Sequence, residues 1–312
     1  IIRARIKEGD PAYDLLKHYT GGNGGSVIAL DPRDGSIKTL VSYPGFNSNE
    51  LGYNISKKEF EKVIRDPLKP LFNRAVAGEF PSGSIIKPFT AAAALQEKII
   101  DPEKKIYDPG FIEIPNPYRS GESHIFKDWR PHGWINFYDA IALSANVYFY
   151  TIGGGYKEQE GLGIYKIKNY LQAFGLGSKT GVALPGEKEG FLPDPETKKI
   201  TNPENPIWRI GDTYNVSIGQ GGLKVTPLQM AMATAAIANG GKLFKPRLLA
   251  DEPIKLIREN IVDPAHLEKV KIGMREAVTR GTSKGLQAVP VPTASKTGTA
   301  QVSGGKNPHS WA

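Results

Sequence analysis

Residues 83–95 read GSIIKPFTAAAAL, and this is the most informative stretch of the sequence. Pro88 has no amide hydrogen and is tolerated in a helix only near its first turn, so a helix is predicted to begin close to Ser84. The alanine-rich run that follows favours a buried helix. Ser84 and Lys87, three residues apart, then share one face near the helix start. Lys87 can take the proton of a serine hydroxyl only if burial or a second cation keeps the amine neutral.

A Ser-x-x-Lys pair is common, and Ser303 and Lys306 form another in a glycine-rich stretch that predicts no helix. Two further motifs distinguish the first pair. They are Ser144-Ala145-Asn146, in a short polar link between two predicted helices, and Lys296-Thr297-Gly298, in an extended run over residues 293–302. The order Ser-x-x-Lys, Ser-x-Asn, Lys-Thr-Gly and its separations resemble those of penicillin-binding proteins and serine β-lactamases.

Longer segments make the resemblance more specific. Residues 26–41 predict a β-hairpin around an Asp-Gly turn. Residues 27–49, VIALDPRDGSIKTLVSYPGFNSN, are similar to the first strands of class B penicillin-binding proteins. Residues 174–187, 211–221 and 225–241 resemble the penicillin-binding protein 2 group, which cross-links cell wall during rod elongation. The second motif departs from that group, because many of its members resemble Ser-x-Asp and this chain has Ser144-Ala145-Asn146.

The resemblance implies a mixed α/β (α+β) transpeptidase fold, in which helices flank both faces of an antiparallel sheet. The active site is expected between the strand of Lys296 and the helix that bears Ser84. The transpeptidase domain is expected to cover residues 23–312, with residues 1–22 as the remnant of an N-terminal non-catalytic domain. The family pattern continues into further strands and a C-terminal helix, which we expect to be missing from this sequence.

The resemblance also implies a role for each motif residue. Ser84 is the expected nucleophile and Lys87 its base, while Ser144 relays a proton to the leaving group. Asn146 is expected to bind the substrate backbone and orient Lys87, and Lys296 to supply positive potential that favours a neutral Lys87. The N–H groups of Ser84 and Thr299 are expected to hold the oxyanion. The predicted catalytic residues are Ser84, Lys87, Ser144, Asn146 and Lys296, and the predicted substrate-binding residues are Thr297, Gly298 and Thr299.

A second Lys-Thr-Gly occurs at Lys179-Thr180-Gly181. It follows a predicted helix end and runs into a turn-rich loop, whereas a substrate-binding version needs an extended strand whose backbone can pair with the substrate. We therefore assign no chemistry to Lys179.

A proline- and aromatic-rich region over residues 100–134 holds the densest set of candidate metal ligands, Asp108, His124, Asp128 and His132. Their intervals fit neither a helical pair nor a zinc loop, and the chain has no cysteine. A solvated loop is the expectation, and no metal or other cofactor is predicted.

The function that the resemblance implies is peptidoglycan D,D-transpeptidation through a serine acyl-enzyme, with β-lactams as inhibitors. The partners are then stem peptides, as D-Ala-D-Ala donor and amine acceptor. A serine β-lactamase or β-lactam sensor on the same fold is an alternative, but a hydrolase needs a base for water and no Glu-x-x-x-Asn lies between Ser144 and Lys296. A non-catalytic wall-binding scaffold is another alternative, and the three intact motifs argue against it.

Composition bears on the partners and the cellular location of the protein. The net charge is +8, but the basic residues are scattered, so nucleic acid is not a predicted partner. The absence of cysteine is compatible with an extracytoplasmic protein. No apolar run is long enough for a membrane span, and no signal peptide opens the sequence. The resemblance implies an anchor absent here, a periplasmic position at the bacterial cytoplasmic membrane, and a glycosyltransferase and elongation-complex proteins as partners.

Overall fold

The computed structural model describes residues 24–49, 51–52, 55–116, 121–301 and 308–312. The expected N-terminal remnant and the pair Ser303 and Lys306 lie outside the described residues. Among the residues described, no helix has the length and apolar character needed to cross a membrane.

The described helices are spread along the whole chain and two single 3₁₀ turns accompany them. The turns are Gly83–Ile86 and Lys284–Ala288. The α-helices are α1 (Lys57–Ile64), α2 (Arg74–Ala77), α3 (Lys87–Gln96), α4 (Phe137–Leu143), α5 (Asn146–Gly154), α6 (Ile164–Ala173), α7 (Pro195–Thr201), α8 (Ile210–Ser217), α9 (Pro227–Ala238) and α10 (Pro264–Thr279).

The described strands form five antiparallel ladders of two strands each. Antiparallel pairing is as predicted, but the described strands do not join into one sheet, because each pairs with a single partner. The pairs are β1 (Gly25–Leu30) with β2 (Ile37–Tyr43), β3 (Ile106–Asp108) with β6 (Gly133–Ile135), β4 (Phe111–Pro115) with β5 (Ser123–Lys127), β7 (Leu243–Phe244) with β8 (Leu256–Arg258), and β9 (Gly298–Ala300) with β10 (His309–Trp311).

Helix α3 lies at the centre of the largest hydrophobic core, with every residue from Lys87 to Leu95 buried. A helix without a polar face is stable only when it is surrounded, so the alanine-rich sequence fits this position. Phe89 packs edge-on against Phe174, with 5.1 Å between ring centroids. The buried helix therefore gives a rigid base to the turn that carries Ser84.

Local sequence signals account for the starts of α9 and α10. Thr226 caps α9, since its hydroxyl accepts from the amide of Gln229 at 3.2 Å and the Gln229 side chain accepts from the Thr226 amide at 2.9 Å. Helix α10 begins at Pro264, directly after the N-cap residue Asp263, and ends at Thr279. The predicted β-hairpin over residues 26–41 is confirmed by the β1–β2 ladder.

Candidate active site

Ser84 lies in the 3₁₀ turn directly before α3, and Lys87 is the first residue of α3. The predicted helix start is confirmed, although the turn that carries Ser84 is tighter than an α-helix. Residues three apart eclipse each other in a 3₁₀ turn, so Ser84 and Lys87 still share a face. Ser84 is half-buried, whereas Lys87 is fully buried.

Because Gly83 has no side chain, the third motif can pack closely against the turn that carries Ser84. Its φ is +53°, and a Cβ at this position would lie 2.7 Å from the carbonyl oxygen of Thr299. The Gly83 amide also donates to Gly219 O at 3.0 Å. Any side chain at Gly83 would both strain the backbone and push β9 away from Ser84.

The second motif forms the link between α4 and α5. Ser144 adopts a left-handed conformation, with φ +58°, which is uncommon for a residue other than glycine. Asn146 begins α5. Lys87 Nζ donates to the Ser144 carbonyl oxygen and to Asn146 Oδ1, each at 2.7 Å, and lies 3.5 Å from Ser144 Oγ.

Lys296 approaches the same serine from the other side. Its Nζ donates to Ser144 Oγ at 2.7 Å and to Thr297 O at 2.8 Å. The Ser144 hydroxyl therefore lies between two buried amines. The fold brings together Lys87, Ser144, Asn146 and Lys296 by direct hydrogen bonds, and holds β9 with Thr299 against the Ser84 turn.

Burial controls the protonation of both lysines. Loss of solvation lowers the pKa of Lys87 to about 7, against the opposing effect of the Asp128 and Asp108 carboxylates. Burial also lowers the pKa of Lys296 well below its ordinary value, and the charge of Lys87 lowers it further. From the sequence, the charge of Lys296 is expected to favour a neutral Lys87. Burial instead lowers the pKa of Lys87, and the charge effect between the two lysines acts on Lys296.

The chain matches a known protein family. The family model described as penicillin binding protein transpeptidase domain matches residues 25–312. The chain belongs to this family. Penicillin-binding proteins are also similar to this chain in sequence and in structure.

Peptidoglycan D,D-transpeptidase MrdA of Acinetobacter baumannii is 38% identical over 301 residues, which cover 92% of this chain and 43% of that protein. The solved PBP2 structure from Helicobacter pylori has a TM-score of 0.80 and 33% identity over 93% of this chain and 53% of that one. The complex of Helicobacter pylori PBP2 with MreC has a TM-score of 0.81 and 32% identity over 93% of this chain and 52% of that one.

These penicillin-binding proteins confirm the predicted transpeptidase fold and the likeness to the penicillin-binding protein 2 group. The chain spans about half the length of the relatives it matches.

The second Lys-Thr-Gly of this penicillin-binding protein has another environment. Thr180 is buried, and its amide donates to Glu187 Oε1 at 2.7 Å, while its hydroxyl donates to the same oxygen. Lys179 is exposed in this loop. Thr180 occupies the place that Thr297 has in the third motif. Its hydrogen-bonding groups are already bound by the Glu187 carboxylate.

Two of the four candidate metal ligands, Asp108 and His132, do not lie in the expected solvated loop. Asp108 and His132 have fully buried side chains, and His132 Nδ1 lies 2.7 Å from Asp108 Oδ2. The expectation of a solvated loop is wrong for them, because the β3–β6 ladder places residues that are distant in sequence side by side. Asp128 Oδ2 accepts from the Val147 amide at 2.8 Å, in the first turn of α5, and burial raises the pKa of Asp128 to about 6.

The oxygen and nitrogen donors of Asp108, Asp128 and His132 lie within 4.8 Å of one another, so these three could hold a metal ion in the described part of the chain. His124 does not join them, since it lies exposed on β5 opposite Ile114. The sequence does show four metal-ligand residue types in one region. It does not show the strand register, which places His124 away from the other three.

Proposed function

We propose that this chain is the catalytic domain of a peptidoglycan D,D-transpeptidase that works through a serine acyl-enzyme. The observation that carries the proposal is the fully buried Lys87, whose pKa is about 7 and whose amine bonds to the second motif beside Ser144. A lysine that is partly neutral near neutral pH can act as a base for serine. The relative named peptidoglycan D,D-transpeptidase MrdA supports the same reaction.

In the acylation step, Ser84 Oγ attacks the carbonyl carbon of the penultimate D-alanine and gives its proton to Lys87 Nζ. The backbone N–H groups of Ser84 and Thr299 stabilise the negative oxygen of the tetrahedral intermediate. When the intermediate collapses, the C–N bond breaks and the terminal D-alanine leaves with a proton relayed through the Ser144 hydroxyl.

In the second step, the amine of a neighbouring stem peptide attacks the ester carbon, a peptide bond forms, and Ser84 recovers its proton. Thr297 and Thr299 would bind the terminal carboxylate of the donor, with Lys296 supplying positive potential whenever it is protonated. A β-lactam that imitates the D-Ala-D-Ala end leaves an ester without a ready acceptor.

The test is covalent labelling. Incubation with benzylpenicillin should add the mass of one penicilloyl group, and peptide mapping should place it on Ser84. Nitrocefin should give a single burst of colour, because no acceptor amine is present. Sustained nitrocefin hydrolysis would favour a β-lactamase instead, and the absence of any adduct would favour a non-catalytic scaffold.

An aspartate at position 146 is expected to move the pH dependence of acylation upward. In Asn146→Asp, a carboxylate replaces the amide oxygen that lies 2.7 Å from Lys87 Nζ. The negative charge stabilises the ammonium form and raises the pKa of Lys87, so the limb on which the rate rises with pH should shift up by ~1 unit or more. Benzylpenicillin acylation rates across the pH range of the folded protein measure the shift, and an unchanged limb would exclude Lys87 as its source.

The two Lys-Thr-Gly motifs are expected to respond very differently to alanine. Lys296 bonds to Ser144 Oγ, so Lys296→Ala should slow benzylpenicillin acylation by ~100-fold or more. Lys179 is exposed in a loop closed by Glu187, so Lys179→Ala should leave the rate nearly unchanged. Equal effects of the two substitutions would show that the motif assignment is wrong.

The cellular setting is part of the same proposal. We infer a periplasmic position at the cytoplasmic membrane and an elongation complex as partner, supported by the Helicobacter pylori PBP2 structure in complex with MreC. Co-purification of the full-length protein with an MreC protein of the same bacterium tests this inference, and its failure would leave the labelling result unaffected.

A further inference from the structure

The turn at residues 281–283 contacts both sides of the cleft between the second and third motifs. The amide of Thr282 donates to Ala142 O at 3.1 Å, in the last turn of the helix that leads into Ser144. The hydroxyl of Thr282 lies 2.9 Å from the hydroxyl of Thr297. Thr282 therefore bonds through its backbone to α4 and through its side chain to the Lys-Thr-Gly segment.

The turn is fixed on both of its flanks. A Cβ on Gly281 would lie 2.1 Å from Ala142 O, so the turn is pressed against α4. The Ser283 amide donates to Ala277 O at 2.9 Å, and the buried Ser283 hydroxyl lies 3.2 Å from Ser295 Oγ. These contacts hold the backbone of Thr282 in place against α4 and the segment before Lys296.

Both threonines are at least partly exposed to solvent. Thr282 is exposed and Thr297 is half-buried. A hydroxyl has one proton to donate and two lone pairs to accept. Thr297 can donate to a carboxylate only if its proton is not given to Thr282. When Thr282 is the donor of the pair, the proton of Thr297 is free, and successive hydrogen bonds in such a chain strengthen one another.

We propose that Thr282 is a positioning residue that turns the Thr297 hydroxyl toward the terminal carboxylate of a donor peptide or β-lactam. With the carboxylate bound, the hydrogen bonds run from Thr282 to Thr297 and from Thr297 to the carboxylate oxygen. The inference rests on the proposed function, because it assumes that a carboxylate binds beside Thr297.

The test separates binding from chemistry in the acylation by benzylpenicillin. Rates at increasing penicillin concentration give the dissociation constant of the first complex and the limiting rate of ester formation. Thr282→Val keeps the shape and removes the hydroxyl, and it should weaken the first complex by ~10-fold with little change in the limiting rate. Thr282→Ser keeps the hydroxyl and should remain within ~3-fold of wild type.

Ser283→Ala is the matched control, because it removes a hydroxyl from the same turn that bonds to Ser295 and not to Thr297. Its dissociation constant should stay within ~2-fold of wild type. The decisive comparison is between Thr297→Val and the double variant that carries both Thr297→Val and Thr282→Val. If Thr282 acts through Thr297, the second substitution should have almost no further effect on the dissociation constant.

Each other outcome overturns the inference. If Thr282→Val equals wild type in both constants, Thr282 has no role in binding. Full additivity with Thr297→Val would mean that Thr282 does not act through Thr297. A lowered limiting rate shared by Thr282→Val and Ser283→Ala would indicate a general distortion of the turn. Failure of the wild-type chain to react with benzylpenicillin would overturn the proposed function itself and is visible in the wild-type measurement alone.

Discussion

Ser84→Ala is expected to abolish covalent labelling by benzylpenicillin while the protein remains folded. The hydroxyl is the only group lost, and without it no ester can form. Ser84 lies in a short 3₁₀ turn and its side chain is half-buried, so the loss should cost at most ~1 kcal/mol of stability. Intact mass after incubation measures the labelling, and thermal unfolding measures the stability.

Ser82→Ala is the matched control for this substitution. Ser82 stands two residues before Ser84 in the same segment and is buried, with its hydroxyl 3.4 Å from Gly83 O. It should still be labelled. A penicilloyl adduct on Ser84→Ala would place the nucleophile elsewhere, and peptide mapping of that adduct would identify it.

The parts of the fold that sequence predicts well are those with local causes. The Asp-Gly turn of the β1–β2 hairpin, the cap at Thr226 and the proline after Asp263 each act within a few residues. The same holds for the start of α3, where Pro88 lies in the first turn. Such signals need no knowledge of the tertiary structure.

Other features depend on contacts between distant residues and were not predicted. The convergence of Asp108 and His132 requires the β3–β6 register, which neither segment specifies alone. The role of Thr282 depends on its position between Ala142 and Thr297. The left-handed Ser144 is another example, because its conformation is maintained by partners on two other segments.

The motif residues were predictable only as a set. From the sequence, Lys87 requires burial or a second cation if it is to act as a base, and Lys87 is fully buried. The sequence does not predict how the protonation of Lys87 is balanced, since burial lowers the pKa while Asp128 and Asp108 raise it. That balance comes from the whole fold, and it decides whether Lys87 can be a base near neutral pH.

The strongest test of the mechanism is therefore Lys87→Arg. With wild type, the acylation rate should rise with pH on a limb centred near the pKa of Lys87, about 7, because only the neutral amine can accept the serine proton. Arginine keeps a positive charge but cannot be deprotonated in a protein. Lys87→Arg should lose ~100-fold or more of the acylation rate at every pH, with no rising limb.

Because Lys87 is fully buried, the larger guanidinium could also disturb the site. Lys87→Ala removes this ambiguity, since it leaves space for a small primary amine such as ethylamine. Added ethylamine should restore part of the acylation of Lys87→Ala, and the restored rate should follow the fraction of ethylamine that is neutral, rising with pH toward the pKa of the free amine. If Lys87→Arg instead reacts at near wild-type rate, the role of Lys87 is electrostatic, and the proton of Ser84 must pass to another group.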